Sequence, residues 1–348
     1  MKNVLFSILV VIYCTANAGS RAIDHAPLGI MGDHLHKKGE WMFSFRFTEM
    51  RMRDNLIDGE SASIGEILSQ TNPFSSMPGM PVNLSVVPTK MTMRMAMPGL
   101  MYAPNDNVTL MAMAMFSDKE MDLSVYQPMM NRDLLGSFKS STNDLSNVSL
   151  TALVRGQESR KSRGHFHIGL EKSMNDSEKM GTVLTPMNMQ MNMILPYGMQ
   201  IADKSTRGII GYTHVLDLNG FMWGNQVLFQ KILEKDDWAF GEKSIFNTWI
   251  QQSLTDNLSV SGRLYYEYQE DIQGRNSLIL APVQTANPEN YGGKVLNFGF
   301  GFNVIGSIFD NSGKDRIAIE LLMPVNQEKN GIQMKNRQTI TVGYQRSF

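Results

Sequence analysis

Apolar and polar residues alternate along most of the chain beyond residue 40. A period of two marks a strand with one apolar face. Trp41, Phe43, Phe45 and Phe47 share one face, and Met42, Ser44, Arg46, Thr48, Met50 and Met52 share the other. Phe298, Phe300, Phe302 and Val304 oppose Asn297, Gly299, Gly301 and Asn303 in the same way. The pattern predicts twelve strands, near 41–53, 90–102, 107–121, 144–155, 165–171, 209–218, 221–232, 246–254, 258–269, 296–304, 316–325 and 338–348. Helical periodicity is nowhere persuasive.

The connections between these strands alternate in length. Long ones span 54–89, 122–143, 172–208, 233–245, 270–295 and 326–337, and shorter ones fall at 103–106, 156–164, 219–220, 255–257 and 305–315. Outer-membrane barrels combine an even strand number with long extracellular loops and short periplasmic turns. The expected fold is therefore all-β, a transmembrane antiparallel up-and-down barrel of about 12 strands over residues 41–348, with both termini periplasmic. A closed barrel satisfies every backbone group within a bilayer without any membrane helix. A soluble β-sandwich is the competing architecture, although it needs no such alternation of loop lengths.

In that barrel the aromatic face of the first strand belongs to lipid, which turns Met42, Met50 and Met52 to the lumen. On the third strand the apolar row is Val108, Leu110, Ala112, Ala114 and Phe116. Its opposite row mixes Met111, Met113, Met115 and Met121 with Thr109, Ser117 and Lys119, so it too should line the lumen. On the second strand Thr92 and Arg94 should seek water, which pushes Met91, Met93, Met95 and Met97 toward lipid. A one-residue slip across "APND" would reverse that, because side chains change face with each residue. Arg346 falls on the otherwise apolar face of the last strand, at a position suited to the periplasmic rim.

Composition narrows the function. Formal net charge is -1, and no basic stripe points to nucleic acid. No phosphate loop, zinc-protease motif or nucleophile elbow is present, and no Ser/His/Asp spacing stands out, so an enzyme is not expected. Residues 1–18 read as a signal peptide, with Lys2 before an apolar run and "TANA" ending at Ala18. Residues 19–40 read as a periplasmic lead-in. Cleavage after Ala18 removes Cys14, which is the sole cysteine, and with it any thiolate chemistry. The partners expected are outer-membrane lipid and a small solute or metal ion, with room for an unidentified periplasmic partner.

Methionine is the outlier, at 28 of 348 residues. Without thiolates, thioether and imidazole are the soft ligands left, and both suit copper. In "TPMNMQMNMILPYGMQ", Met187, Met189, Met191 and Met193 alternate with polar residues in a long loop, where an apolar filler has least to fill. A hairpin there would present the sulfurs as a row. His34 and His36 in the lead-in, and His165 and His167 facing the lumen, add imidazoles. The candidate metal set is therefore His34, His36, Met42, Met50, Met52, Met111, Met113, Met115, Met121, His165, His167, Met187, Met189, Met191 and Met193, with copper as cargo or ligand. Met is equally a pliable apolar filler. Glu171, Arg263, Glu267 and Glu320 are expected as lumen charges that pair or tune passage.

Three stretches carry a resemblance: "MGDHLHKKGEWMFSFRFTEMRM" (31–52), "PGLMYAPNDNVTLMAMAMFSDKEMDL" (98–123) and "LPYGMQ" (195–200). They resemble a family of bacterial outer-membrane transporters related to the phenol-degradation meta-pathway outer-membrane proteins. Gly198 stands where that family's pattern leads one to expect Pro. The resemblance implies a β-barrel, and the family's label implies passage of hydrophobic or aromatic compounds. A channel for a small solute, copper included, is the leading expectation, because the lumen rows mix Ser, Thr, Asn, Gln and charges. A channel for hydrophobic compounds is the alternative, and a barrel without transport role the third.

Overall fold

A computed structural model describes residues 21–129, 131–174, 178–308 and 315–348. The predicted signal segment, 1–18, lies outside them. Twelve long strands form the wall. They are β1 (Trp41–Ile57), β2 (Val86–Asn105), β3 (Val108–Tyr126), β4 (Leu134–Glu158), β5 (Ser162–Ser173) and β6 (Thr206–Asp217). The second half contributes β7 (Phe221–Glu234), β8 (Lys243–Thr255), β9 (Leu258–Gln269), β10 (Gly293–Gly306), β11 (Asp315–Lys329) and β12 (Ile332–Ser347). Each pairs antiparallel with its sequence neighbour, and β12 pairs with β1 to close the barrel. The seam runs from Met42 opposite Ser347 to Ile57 opposite Ile332, and the Phe348 amide donates to the Trp41 carbonyl at 2.8 Å.

The wall is inverted relative to a soluble protein. Its exposed residues are large and apolar, among them Phe45, Leu150, Ile168, Trp223, Phe246, Phe300 and Val342. Its buried residues are polar, among them Arg46, Thr151, Gln226, Asn247, Arg263, Asn303 and Glu320. A sandwich would bury the first set, so the distribution excludes that architecture. It suits a wall whose outer face meets hydrocarbon.

Several strands run well past the roughly 10 residues that a tilted strand needs to cross a bilayer. On β1 the outward row changes from Phe43, Phe45 and Phe47 to Glu49, Arg51 and Arg53. The wall therefore projects beyond its apolar belt at the end carrying the long loops. Two expected long connections shrink for this reason. The 122–143 connection becomes the ends of β3 and β4, and 326–337 becomes a tight turn at Asn330–Gly331. Predicted strand 165–171 likewise lengthens to Ser162–Ser173.

The remaining long loops fold over this end as a cap. Among the described residues they contain one short α-helix, Ile64–Ser69, started by a capping box between Ser63 and Glu66, and two 3-10 turns, Tyr197–Met199 and Gln284–Ala286. A hairpin pairs Met180–Leu184 with Gln190–Ile194, and Trp238–Ala239 pairs with Gln273–Gly274. Their apolar residues share one core with the loop ends of β2 and β3: Phe74, Leu195, Tyr197, Met199, Trp238, Ile279 and Val283 join Met91, Met121 and Leu123. Both described chain ends and the short turns lie at the opposite end. There Arg346 sits on the outer face at the rim, paired with Asp315 at 2.9 Å.

An arginine at Phe300, on the outward belt, should cost about 2–4 kcal/mol of folding stability near a bilayer midplane. Unfolding in urea with lipid vesicles measures this. The same replacement at Ser141, exposed on the wall beyond the belt opposite Glu120, should change stability little.

Candidate functional site

The bore is built from the inward rows, and its turn end is filled by the lead-in. Residues 22–36 run inside the barrel, with Ala22, Ile23, Leu28 and Ile30 almost fully buried. An irregular segment buried in a barrel has no ladder for its backbone, so its polar groups need other partners. The bore supplies them. Gln251 and Ser259 donate to the Ala22 carbonyl, Arg163 to Asp24, Asn303 to His25 and Arg316 to Ala26. Arg46 donates to the Ile30 carbonyl, Gln226 to Met31 and His165 to Gly32. The amides of Gly29 and His36 donate to Glu320 (2.7 Å) and Thr109 (2.9 Å).

Glycines let this plug seat closely. A side chain at Gly29 would collide with both Arg263 and Glu320. These two form a buried ion pair, Nε to Oε1 2.8 Å, reaching from β9 to β11 across β10. Gly299 and Gly301 of β10 leave the space for that reach, since a Cβ at Gly299 would lie 3.2 Å from Glu320 Oε1. Of the four lumen charges expected from the sequence, Arg263 and Glu320 thus pair with each other. Glu171 and Glu267 face the bore from β5 and β9, opposite Arg207 and Val295 in their ladders.

The methionine rows fall on one sector of the bore. Register pairs Met42 with Met101, Met50 with Met93 and Met52 with Met91. The next ladder pairs Met91 with Met121 and Met101 with Met111. Paired residues share a face, so Met91, Met93, Met95 and Met97 face the bore beside Met111, Met113, Met115 and Met121. The expectation that the second-strand row meets lipid is overturned. Thr92 and Arg94 do point away from that row, but onto wall that lies beyond the apolar belt. There Arg94 pairs with Asp118 (3.0 Å), Glu49 (3.2 Å) and Glu120 (3.4 Å). At the turn end Met42 and Met101 pack with Leu153 against Leu35 of the plug.

At the loop end this strip meets a cavity of about 470 Å³ between the hairpin 180–194, the segments 79–82 and 280–283, and the ends of β2 to β4. Met121 and Met199 belong to both the cap core and the cavity wall. Met187, Met189, Met191 and Met193 line it, beside Leu184, Leu195, Pro282 and Phe138. Among the described residues that line it, Ser140 and Thr185 are the only ones with a hydroxyl, and none has a charged or imidazole side chain. The predicted hairpin is therefore present, with its sulfurs directed at an apolar hollow rather than at other ligand types.

The motif "LPYGMQ" holds this wall in place. Tyr197 is fully buried and edge-on to Trp238, with ring centroids 4.8 Å apart, and its hydroxyl accepts from the Asn276 amide at 2.8 Å. Lys119 of β3 donates to the Gln200 carbonyl at 2.6 Å and to Gly198 at 3.2 Å. Behind it, burial alone would raise the Asp203 carboxyl. The adjacent Arg207 guanidinium, the Ser205 hydroxyl and the Phe240 amide outweigh burial and hold it below the usual carboxylate range.

Five of the six histidines lie in the bore. His165 contacts the Gly32 carbonyl at 2.7 Å and His167 the Thr213 hydroxyl at 2.8 Å, so both serve the plug and its wall. His34 and His36 sit within the plug, not at an open entrance, with ring centroids 4.8 Å apart. Sequence reasoning missed the plug and most of the cavity wall. Their signals were apolar runs in segments read as a periplasmic lead-in and a long connection, "APLGIM" at 26–31 and "LILAPV" at 278–283.

No protein-family model matches the chain, and no curated protein matches it in sequence. The fold is similar to that of an outer-membrane channel from Pseudomonas putida F1, at TM-score 0.57 and 13% identity over 92% of this chain and 99% of that one. A Pseudomonas aeruginosa FadL homologue matches at TM-score 0.42 and 9% identity over 89% and 90% of the two chains. The toluene transporter TodX of P. putida matches at 0.42 and 10% over 90% and 91%. These last two are too distant in shape to add to the comparison. The first supports the barrel fold.

Replacing Glu320 by Leu should destabilise the barrel by about 3–5 kcal/mol, because it leaves Arg263 charged and buried without its partner. Adding Arg263→Met should recover most of that loss. Unfolding titrations of the three proteins in one detergent compare them.

Proposed function

We propose that the chain is an outer-membrane channel for small apolar molecules, with the methionine-lined cavity at the loop end as its first binding site. The observation that carries this reading is the cavity itself. Its wall is aliphatic, aromatic and thioether, uncharged, and continuous through Met121 with the methionine strip of β1 to β3. Ligand pockets of roughly 300–1,000 Å³ with mostly apolar walls suit small organic guests. Flexible, polarizable thioethers adapt to guests of varied shape.

The lumen polarity that argued against hydrophobic cargo has another use. The polar rows engage the plug, while the methionine sector adjoins the cavity. Copper handling by the loop sulfurs has no support from the neighbouring chemistry or from the comparisons, and the link to phenol degradation rests on the sequence resemblance alone. The expected orientation puts the cavity outside the cell and the plug toward the periplasm.

Two measurements test this. A tag inserted between Lys235 and Asp236 should bind antibody on intact cells, and one after Phe348 should not; the opposite pattern inverts the topology. Binding of N-phenylnaphthylamine to the folded protein, read by fluorescence, tests the cavity. Changing Met187, Met189, Met191 and Met193 together to Leu should leave binding within about threefold. Changing them to Ser should weaken it at least tenfold, equivalent to about 1.4 kcal/mol. Equal binding by the Ser variant rules out the cavity as the site, whereas loss in the Leu variant together with Cu(I) binding by the parent restores the metal reading.

A further inference from the structure

Inside the plug, three side chains converge away from the methionine sector. His25, Asp33 and His34 each present one ligand atom, and these atoms all lie within 4.8 Å of one another. Asp33 Oδ1 is 3.0 Å from His34 Nδ1, while its other oxygen, Oδ2, accepts from the Ala26 amide at 2.9 Å. The His34 ring lies between those of His25 and His36, with centroids 5.0 and 4.8 Å away. His36 Nε2 is buried and lacks a hydrogen-bond partner.

We infer that His25, Asp33 and His34 bind one divalent transition ion of the zinc, nickel or copper(II) class, which fastens the two arms of the plug to each other. Two imidazoles and a carboxylate make a borderline donor set that suits these ions. Metal–ligand bonds of about 2.0–2.2 Å place the donors on one ion a little over 3 Å apart. Asp33 and His34 already meet that spacing, and an ion would have to draw in His25 from within 4.8 Å. The hydrogen bond from Ala26 orients the carboxylate from outside the coordination sphere, as metal-bound carboxylates are commonly held. His36 lies beside His34 but outside this three-residue cluster, with its Nδ1 3.5 Å from Glu40.

The topology gives the ion a purpose. His25 lies on the arm entering the bore, and Asp33 and His34 on the arm leaving it, with Pro27 to Ile30 turning between them. An ion shared by both arms closes that turn into a ring and holds the plug shut. Two arginines stand near Asp33: Arg316 donates to the Ala26 carbonyl, Asn303 and Gln345, and Arg46 to the Ile30 carbonyl. The methionines are poor ligands for zinc, so zinc separates this site from any thioether site.

The test is zinc binding by the full mature chain folded in detergent, with heat-dependent gel mobility confirming that each variant is folded. The parent should bind one Zn(II) per chain. H25Q combined with H34Q should weaken binding at least tenfold, and D33N alone should do the same while keeping an oxygen for the Ala26 amide. The four-Leu variant of the hairpin should bind zinc like the parent. Independently of any solute, EDTA should raise the single-channel conductance of the parent in planar bilayers, and zinc should reverse this, with neither acting on the double variant. No stoichiometric zinc in the folded parent, or unchanged zinc in both folded variants, overturns the site. Zinc binding without a conductance response overturns the clamp. Failure of N-phenylnaphthylamine binding bears only on the cavity and leaves this inference standing.

Discussion

The structure depends on one constraint: backbone amides and carbonyls removed from water must find partners. The wall meets it by closing on itself, with β12 against β1. The lead-in cannot, because it runs through the bore without a ladder. It is held by a succession of side-chain donors from at least six wall strands, ending on the carbonyls of Ala22, Asp24, His25, Ala26, Ile30, Met31 and Gly32. This explains why the bore is rich in Arg, Asn, Gln and Ser. Those residues complete the hydrogen bonding of a second piece of chain, and a bore occupied in this way says little about the polarity of what passes.

The same constraint divides the bore into sectors. Where the plug's backbone needs donors, the wall is polar. The inward rows of β1 to β3 carry methionines among a few polar residues: Arg46 still serves the Ile30 carbonyl, while Met42 and Met101 meet Leu35 of the plug. Thioethers are apolar enough for that contact and flexible enough to fill an irregular space between wall and plug. Toward the loops the same rows merge with the cap core, where Met91 and Met121 pack with Leu195 and Val283. Methionine thus performs one physical task along the barrel's length, and the loop hairpin extends it beyond the rim.

Outside, the decisive feature is strand length. A wall longer than the bilayer has an outer surface in water, and on it charges can face outward. Arg94, with its three carboxylate partners, occupies that zone. Equating a charged row with the lumen fails there, because the inference holds only within the apolar belt. Arg346 at the other rim obeys the same logic, with Asp315 beside it.

Period-two alternation and loop-length alternation sufficed to determine the class, the number of strands, and the facing of β1 and β3, since a strand beside lipid must segregate its faces. The pairing of Asp33 with His34 that the proposed metal site uses lies within "DHLH", whereas His25, eight positions before Asp33, is brought to them only by the fold. The register of β2 against β3 was not legible, because it turns on an irregularity between Tyr102 and Asn105 that local pattern does not encode. The plug and the cavity were not legible either. Both are built from segments without periodicity, and an apolar residue in such a segment takes its meaning only from what the fold brings to it. The tertiary structure decided that Leu28 meets the bore at Gly343, that Met187 to Met193 meet Leu184 and Pro282 across a hollow, and that His25 returns to His34.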